Sequence, residues 1–305
     1  MSKLAHHTAY AVTTLSLALI SQPALAHAIA GDRVFPVTLT MDDPGVADEV
    51  TLPQITDQPG SGPSNQAQFQ WEWDKTITST TSLIYNHGYD VLTQKGSKRA
   101  TGFENVVITG KWQVYVNPDH EFIASVGVQR EIGAGAHTQA IGGDKYGSTS
   151  PVLYFGKGMG DLPVNSLRPL AITGEAIYTI PDHPVNSDAS NNGTARSFSG
   201  HMSVQYSLPY LRSQVKDYGL PTALNRLVPL VEASYTTPTT APSGGSPMAL
   251  SFGAGVIYLV DTYQIGAELL IPGNNAAGKN IGYTLQVHIF LDDILPNSLG
   301  RPLFR

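Results

Sequence analysis

Between Asn280 and Leu291, large apolar residues alternate without a break with small or polar ones. Ile281, Tyr283, Leu285, Val287, Ile289 and Leu291 share one face, and Gly282, Thr284, Gln286 and His288 share the other. A period of two specifies a strand. An apolar and aromatic face opposite a small, polar one suits a wall between lipid and a wet lumen. The same alternation recurs along the chain. Phe69, Trp71 and Trp73 oppose Gln68, Gln70 and Glu72, and Phe122, Ala124, Val126 and Val128 oppose Ser125, Gly127 and Gln129. Met202, Val204 and Tyr206 oppose His201, Ser203 and Gln205, while Ile265, Ala267 and Leu269 oppose Gln264, Gly266 and Glu268. With less regular strands near Leu83–Leu92 and Val152–Gly158, about eleven strands follow Gln66.

The connections alternate too. Short ones near Lys75–Thr80, Asn117–His120, Gly158–Pro163 and Val260–Thr262 are interleaved with long ones at Thr93–Thr101, Gly133–Ser150, Pro181–Arg196, Thr236–Pro247 and Pro272–Lys279. Short periplasmic turns and longer extracellular loops have this rhythm in outer-membrane barrels. The longer link Pro209–Asn225 falls on the periplasmic side by alternation. Single-chain bacterial barrels have even strand numbers, so the Pro-rich stretch before Asn65 is expected to supply a further strand. The expected fold is all-β, an antiparallel transmembrane β-barrel of about 12 strands, with 10 as the alternative if the two irregular segments are not strands.

Composition narrows the reading. The first 26 residues carry Lys3, an apolar run from Ala9 to Ile20 and Ala24-Leu25-Ala26, the form of a secretory signal peptide cleaved after Ala26, with Ala28 as second choice. The run is too short for a membrane helix. There is no cysteine, so neither a disulfide framework nor a lipid-bearing cysteine is expected. Without Lys3 the chain keeps 17 basic residues against 24 acidic ones, a net charge of 17 − 24 = −7, which speaks against nucleic acid as partner. The expected organisation is signal peptide 1–26, an irregular periplasmic arm 27–65 with one strand near Val34–Thr40, a barrel over 66–291 and a periplasmic tail 292–305.

Charges sit on the polar faces. Glu72, Lys111, Glu175, His201, Gln205, Glu232, Glu268 and His288 are the candidate lumen-lining residues. A charge facing lipid at mid-depth costs ~2–4 kcal/mol for Arg or Lys, so membrane strands turn charges inward. Four glutamates against one lysine predict an acidic lumen favouring cations or neutral solutes. Aromatics near strand ends, among them Trp71, Trp112, Tyr178 and Tyr263, predict interfacial girdles.

Catalytic and cofactor chemistry finds little support. Gly156-Lys157-Gly158-Met159-Gly160-Asp161 lacks the helix and the spacing of a phosphate-cradling loop and reads as a turn between strands. Asn192-Gly193-Thr194 marks a polar loop. The nine histidines form no close metal-ligand pair within a strand, so no metal or cofactor is expected. Gly-x-Ser-x-Gly is absent from the sequence. The alternative to a channel is an outer-membrane lipid hydrolase built from Ser199 or Ser203 with His201 or His288. It would require a serine, a histidine and an acid in hydrogen-bonding reach at the rim of the lipid-facing wall. A non-conducting structural or surface-binding barrel is the third reading. Twelve strands enclose a narrow interior that inward side chains or the Pro-rich arm could plug, which would make a gated channel or no channel.

Several stretches are similar to a family. Met41-Asp42-Asp43-Pro44-Gly45, Thr101-Gly102-Phe103-Glu104-Asn105, Gly156 to Pro163 and Leu167-Arg168-Pro169-Leu170 resemble bacterial outer-membrane proteins of the meta-pathway phenol-degradation (MetA-type) transporter family. The resemblance spans residues 41 to 291. It implies a barrel passing small hydrophobic or aromatic compounds, and brings no catalytic residue. The last strand, Asn280-x-Gly282-x-x-Leu285-x-Val287, also resembles the signal read by barrel-assembly machinery. Expected partners are therefore outer-membrane lipids, that machinery during biogenesis and a small solute.

Overall fold

The computed structural model describes residues 28–60, 64–94, 96–134, 136–185, 193–240 and 248–304; the expected signal peptide lies outside them. The chain opens with a small hairpin, β1 (Ala28–Ala30) and β2 (Arg33–Phe35). Then come β3 (Glu49–Gln58), β4 (Ser64–Thr78), β5 (Thr81–Gln94), the short β6 (Ala100–Phe103), β7 (Val106–Asn117), β8 (Phe122–Ile132) and β9 (Ser148–Gly158). The second half holds β10 (Leu170–Pro181), β11 (Ser197–Tyr206), β12 (Leu227–Pro238), β13 (Ala249–Val260), β14 (Tyr263–Pro272) and β15 (Gly282–Phe290).

Twelve of these strands form one closed antiparallel barrel. Neighbours in sequence pair with each other, β6 extends the free part of β5, and β15 pairs back to β3 to close the wall. Closure leaves no unpaired edge in the hydrocarbon region, where an open backbone group would cost several kcal/mol. Both irregular segments are full strands, β5 and β9, which excludes the ten-stranded alternative.

Side chains follow the pleat. Along β14 every second residue from Gln264 is buried, while Ile265, Ala267, Leu269 and Ile271 are exposed, and β15 repeats this with Tyr283 and Leu285 outside. Trp73, Trp112, Leu153, Met202, Val231 and Phe252 are likewise on the exposed face. An apolar exterior all around a closed barrel is a lipid-facing surface.

Two expectations about the N-terminal arm need correction. The strand expected near Val34–Thr40 is only the short β2, while the twelfth barrel strand that parity requires is Glu49–Gln58; and the residues between β2 and β3 do not stay outside the barrel but run through the lumen. β3 was hard to see because Pro53 sits inside it, where a missing N–H argues against a strand. The register shifts between Thr51 and Gln54, so the alternation breaks there.

Candidate functional site: a plugged lumen

The short-turn end of the barrel is closed by the arm. Val37, Leu39, Asp43 and Ala47 are all buried, and the partners of the segment come from strands around the whole wall. Gln264 Nε2 of β14 donates to the Val37 carbonyl at 2.6 Å, and Gln54 Nε2 of β3 to that of Leu39 at 3.2 Å. Thr40 Oγ1 donates to Glu232 Oε2 of β12 at 2.8 Å. Lys111 Nζ of β7 reaches Asp42 Oδ2 at 2.7 Å and the Asp43 carbonyl at 2.6 Å. Ser125 of β8 donates to the Pro44 carbonyl. A segment bonded to β3, β7, β8, β12 and β14 at once can only lie inside the barrel.

Apolar contacts add to these bonds. Leu39 packs with Val228, Leu230 and Ile257, and Phe35 with Ala28, Ala30, Ile123 and Ala171. Burying each such large side chain contributes about 1.5–3 kcal/mol.

At the turn end the hairpin is latched. Arg33 is fully buried; its Nε donates to Glu121 Oε2 at 3.1 Å and its Nη1 to the Pro169 carbonyl at 3.1 Å. The guanidinium lies 3.6 Å from the centre of the Tyr210 ring, whose hydroxyl donates to Glu121 Oε1 at 2.6 Å. Burial and that bond to Glu121 push the Tyr210 hydroxyl up to about 12. Glu121 adopts φ +47°, uncommon without glycine, which turns its carboxylate towards Arg33. The glycines of the Gly156–Gly160 stretch make room for this latch: a Cβ on Gly158 would stand 2.0 Å from Glu121 Oε2, and one on Gly160 2.3 Å from the Tyr210 hydroxyl. The arm leaves the lumen at Asp48, which bonds Lys75 and Thr76 of β4 and receives the Thr76 N–H at 2.9 Å. Burial and the Asp48 charge push Asp292, which accepts the Asp48 N–H, up to about 8.

Towards the loops the lumen stays open. A cavity of about 630 Å³ is floored by residues 37–42 and lined by Glu72, Glu104, Glu175, His201, Gln70 and Gln286, among others. Glu104 accepts hydrogen bonds from Gln68 and Gln70.

The eight sequence candidates divide among the cavity, the plug and the inner face of the wall. Glu72, Glu175 and His201 line the cavity. Lys111 and Glu232 hold the arm. Glu268 is buried beside Glu232, and Gln205 Nε2 donates to Thr173 Oγ1 at 3.1 Å within the wall. His288 is bonded on both ring nitrogens, to Thr51 Oγ1 and Glu49 Oε2, each at 2.7 Å. This hydroxyl–imidazole–carboxylate chain is on the inner face, whereas the hydrolase reading needs its cluster at the lipid-facing rim. Ser199 instead bonds Thr236 Oγ1 at 2.8 Å across the β11–β12 pair. The sequence reading missed Arg33, Glu121, Glu49 and Asp74. The signal it held was Lys111 itself, one inward cation whose burial demands an anionic partner.

Comparison with known proteins agrees with the fold. No family model matches the chain, and no curated protein matches it. Among solved structures, an outer membrane channel described as COG4313, from Pseudomonas putida F1, superposes with a TM-score of 0.53 at 13% identity, covering 84% of this chain and 99% of that one. The NanC porin gives 0.49 at 6% identity over 78% of this chain and 98% of its own, and the KdgM porin 0.45 at 10% over 79% and 98%. The first likeness shows the fold: an outer-membrane β-barrel.

Proposed function

We propose that this protein is an outer-membrane channel for small solutes, closed at its turn end by its own N-terminal arm and performing no chemistry. The observation that carries the reading is the arm itself. It crosses the lumen on side-chain hydrogen bonds from five strands and leaves a polar, acidic cavity of about 630 Å³ on the loop side. Passage then requires the arm to move. In this reading the turns face the periplasm, the long loops face outside, the leader is removed on export, and the assembly machinery inserts the barrel from its last strand. Cations and neutral molecules are favoured, since Glu72, Glu104, Glu175 and Asp42 line the route.

The narrower assignment to the meta-pathway phenol-degradation family, with hydrophobic or aromatic solutes, rests on the sequence resemblance.

Planar-bilayer recording of the purified chain, with and without residues 28–46, tests the channel. The intact protein should conduct rarely and the shortened one steadily, with cations preferred. Absence of both ion current and solute uptake from the shortened, folded barrel would refute it.

A further inference from the structure

Beside Lys111 the plug meets more negative charge than one lysine can balance. Asp42 of the arm, Glu49 of β3 and Asp74 of β4 each bring a carboxylate oxygen within 4.8 Å of the others. Glu49 and Asp74 are each 2% exposed. Asp43, also buried, lies 3.7 Å from Lys111 Nζ, and Glu72, two residues before Asp74 on β4, faces the same lumen. Among the described residues five carboxylates thus gather near one ammonium group, with His288 Nε2 a partner to Glu49 alone.

One member of the group points to a ligand. Asp74 Oδ1 is buried and has no hydrogen-bond partner among the described residues. A buried carboxylate oxygen without a donor bears its full desolvation penalty. Its neighbours, Asp42, Glu49 and Glu72, offer only further oxygens. A hard divalent cation is the species that satisfies several carboxylate oxygens at once, at about 2.3–2.6 Å for Ca²⁺ and about 2.0–2.1 Å for Mg²⁺. Carboxylate oxygens accept more than one contact, so the bond from Lys111 to Asp42 Oδ2 does not exclude a metal. Access exists, since Asp42 and Glu72 line the open cavity.

We propose that Asp42, Glu49 and Asp74 bind a divalent cation, Ca²⁺ or Mg²⁺, which ties the plug to the wall beside the β3–β15 closure. The ion would join one ligand from the movable arm to two from fixed strands, so its removal loosens the plug. The inference rests on the arm's position in the lumen, and its binding arm stands whether or not the barrel conducts.

Calorimetric titration of the EDTA-stripped, detergent-solubilised full chain with CaCl₂ and, separately, MgCl₂ should show one saturable site. Asp74→Asn and Asp42→Asn should each weaken binding at least tenfold, with folding checked by the heat-modifiable gel shift. Asp90→Asn, at a buried lumen carboxylate held by Gln66 and Gln68, should leave affinity unchanged. Absence of binding for both ions at millimolar concentration would overturn the proposal and assign the cluster to shared protons instead. So would unchanged affinity in both Asp74→Asn and Asp42→Asn. Conductance is read separately: chelation should raise open probability, and binding without any current would refute the channel alone.

Discussion

Replacing Lys111 with methionine should open the barrel. Lys111 is buried, its side chain 1% exposed, and it holds Asp42 Oδ2 at 2.7 Å and Asp43 Oδ1 at 3.7 Å. Methionine keeps most of the volume and removes the charge. With the arm in place, two carboxylates then stay buried without their counter-ion. Breaking one side of a buried pair costs about 3–5 kcal/mol, and the arm can escape that cost by leaving the lumen, where Asp42 and Asp43 regain water. At about 1.4 kcal/mol per factor of ten, the open population should rise by roughly two to three and a half orders of magnitude. Single-channel recording in EDTA at fixed voltage measures it as open probability. Asp42→Asn, which alters only the arm, should move it the same way by less, because Asp43 remains paired. A folded Lys111→Met barrel with wild-type open probability would refute the electrostatic account of closure.

Three further outcomes follow from the same geometry. Arg33 is inaccessible in the latched hairpin, so trypsin should cut after it slowly in the intact protein and at least tenfold faster in Glu121→Ala; equal rates would show that the latch does not restrain the hairpin. Glu104 lines the lumen and accepts from Gln68 and Gln70, so Glu104→Gln should lower cation preference in bilayers, and an unchanged preference would contradict its place on the route. Leu269, 53% exposed on the outer face, should cost about 2–4 kcal/mol when replaced by arginine, if it sits near mid-depth, read as a lowered urea midpoint for the barrel in liposomes; an unchanged midpoint would deny the lipid contact.

The wall was legible from the chain because lipid on one side and polar groups on the other impose a period of two at every turn of the pleat. The run from Ile281 to Leu291 shows it, ending one residue early in the structure, where Leu291 starts a helical turn. Loop-length parity even required the strand that proved to be β3, although Pro53 and the register shift hid its position. Twelve strands leave an interior narrow enough for inward side chains or the Pro-rich arm to plug, but the sequence could not choose between the two. An inward Gln or Glu has the same sequence signature whether it faces water or a peptide carbonyl, so Gln264 and Gln286 could not announce Val37 and Thr38. The acidic cluster escaped for another reason. Glu49 and Asp74 face each other across the β3–β4 pair and Asp42 joins them from the arm, so the cluster depends on the position of β3 and the path of the arm, while the expectation of no metal rested on histidine spacing alone.

The central claim, that the arm is what closes the lumen, can be tested by fixing it in place. The chain has no cysteine, and Thr40 touches Glu232 across the lumen at 2.8 Å, so Thr40→Cys with Glu232→Cys gives a pair that a short, reductant-cleavable thiol cross-linker can bridge. Bilayer current from the cross-linked barrel should be absent and should appear when reductant releases the arm. Equal current before and after reduction would mean that solute passes by a route the arm does not block.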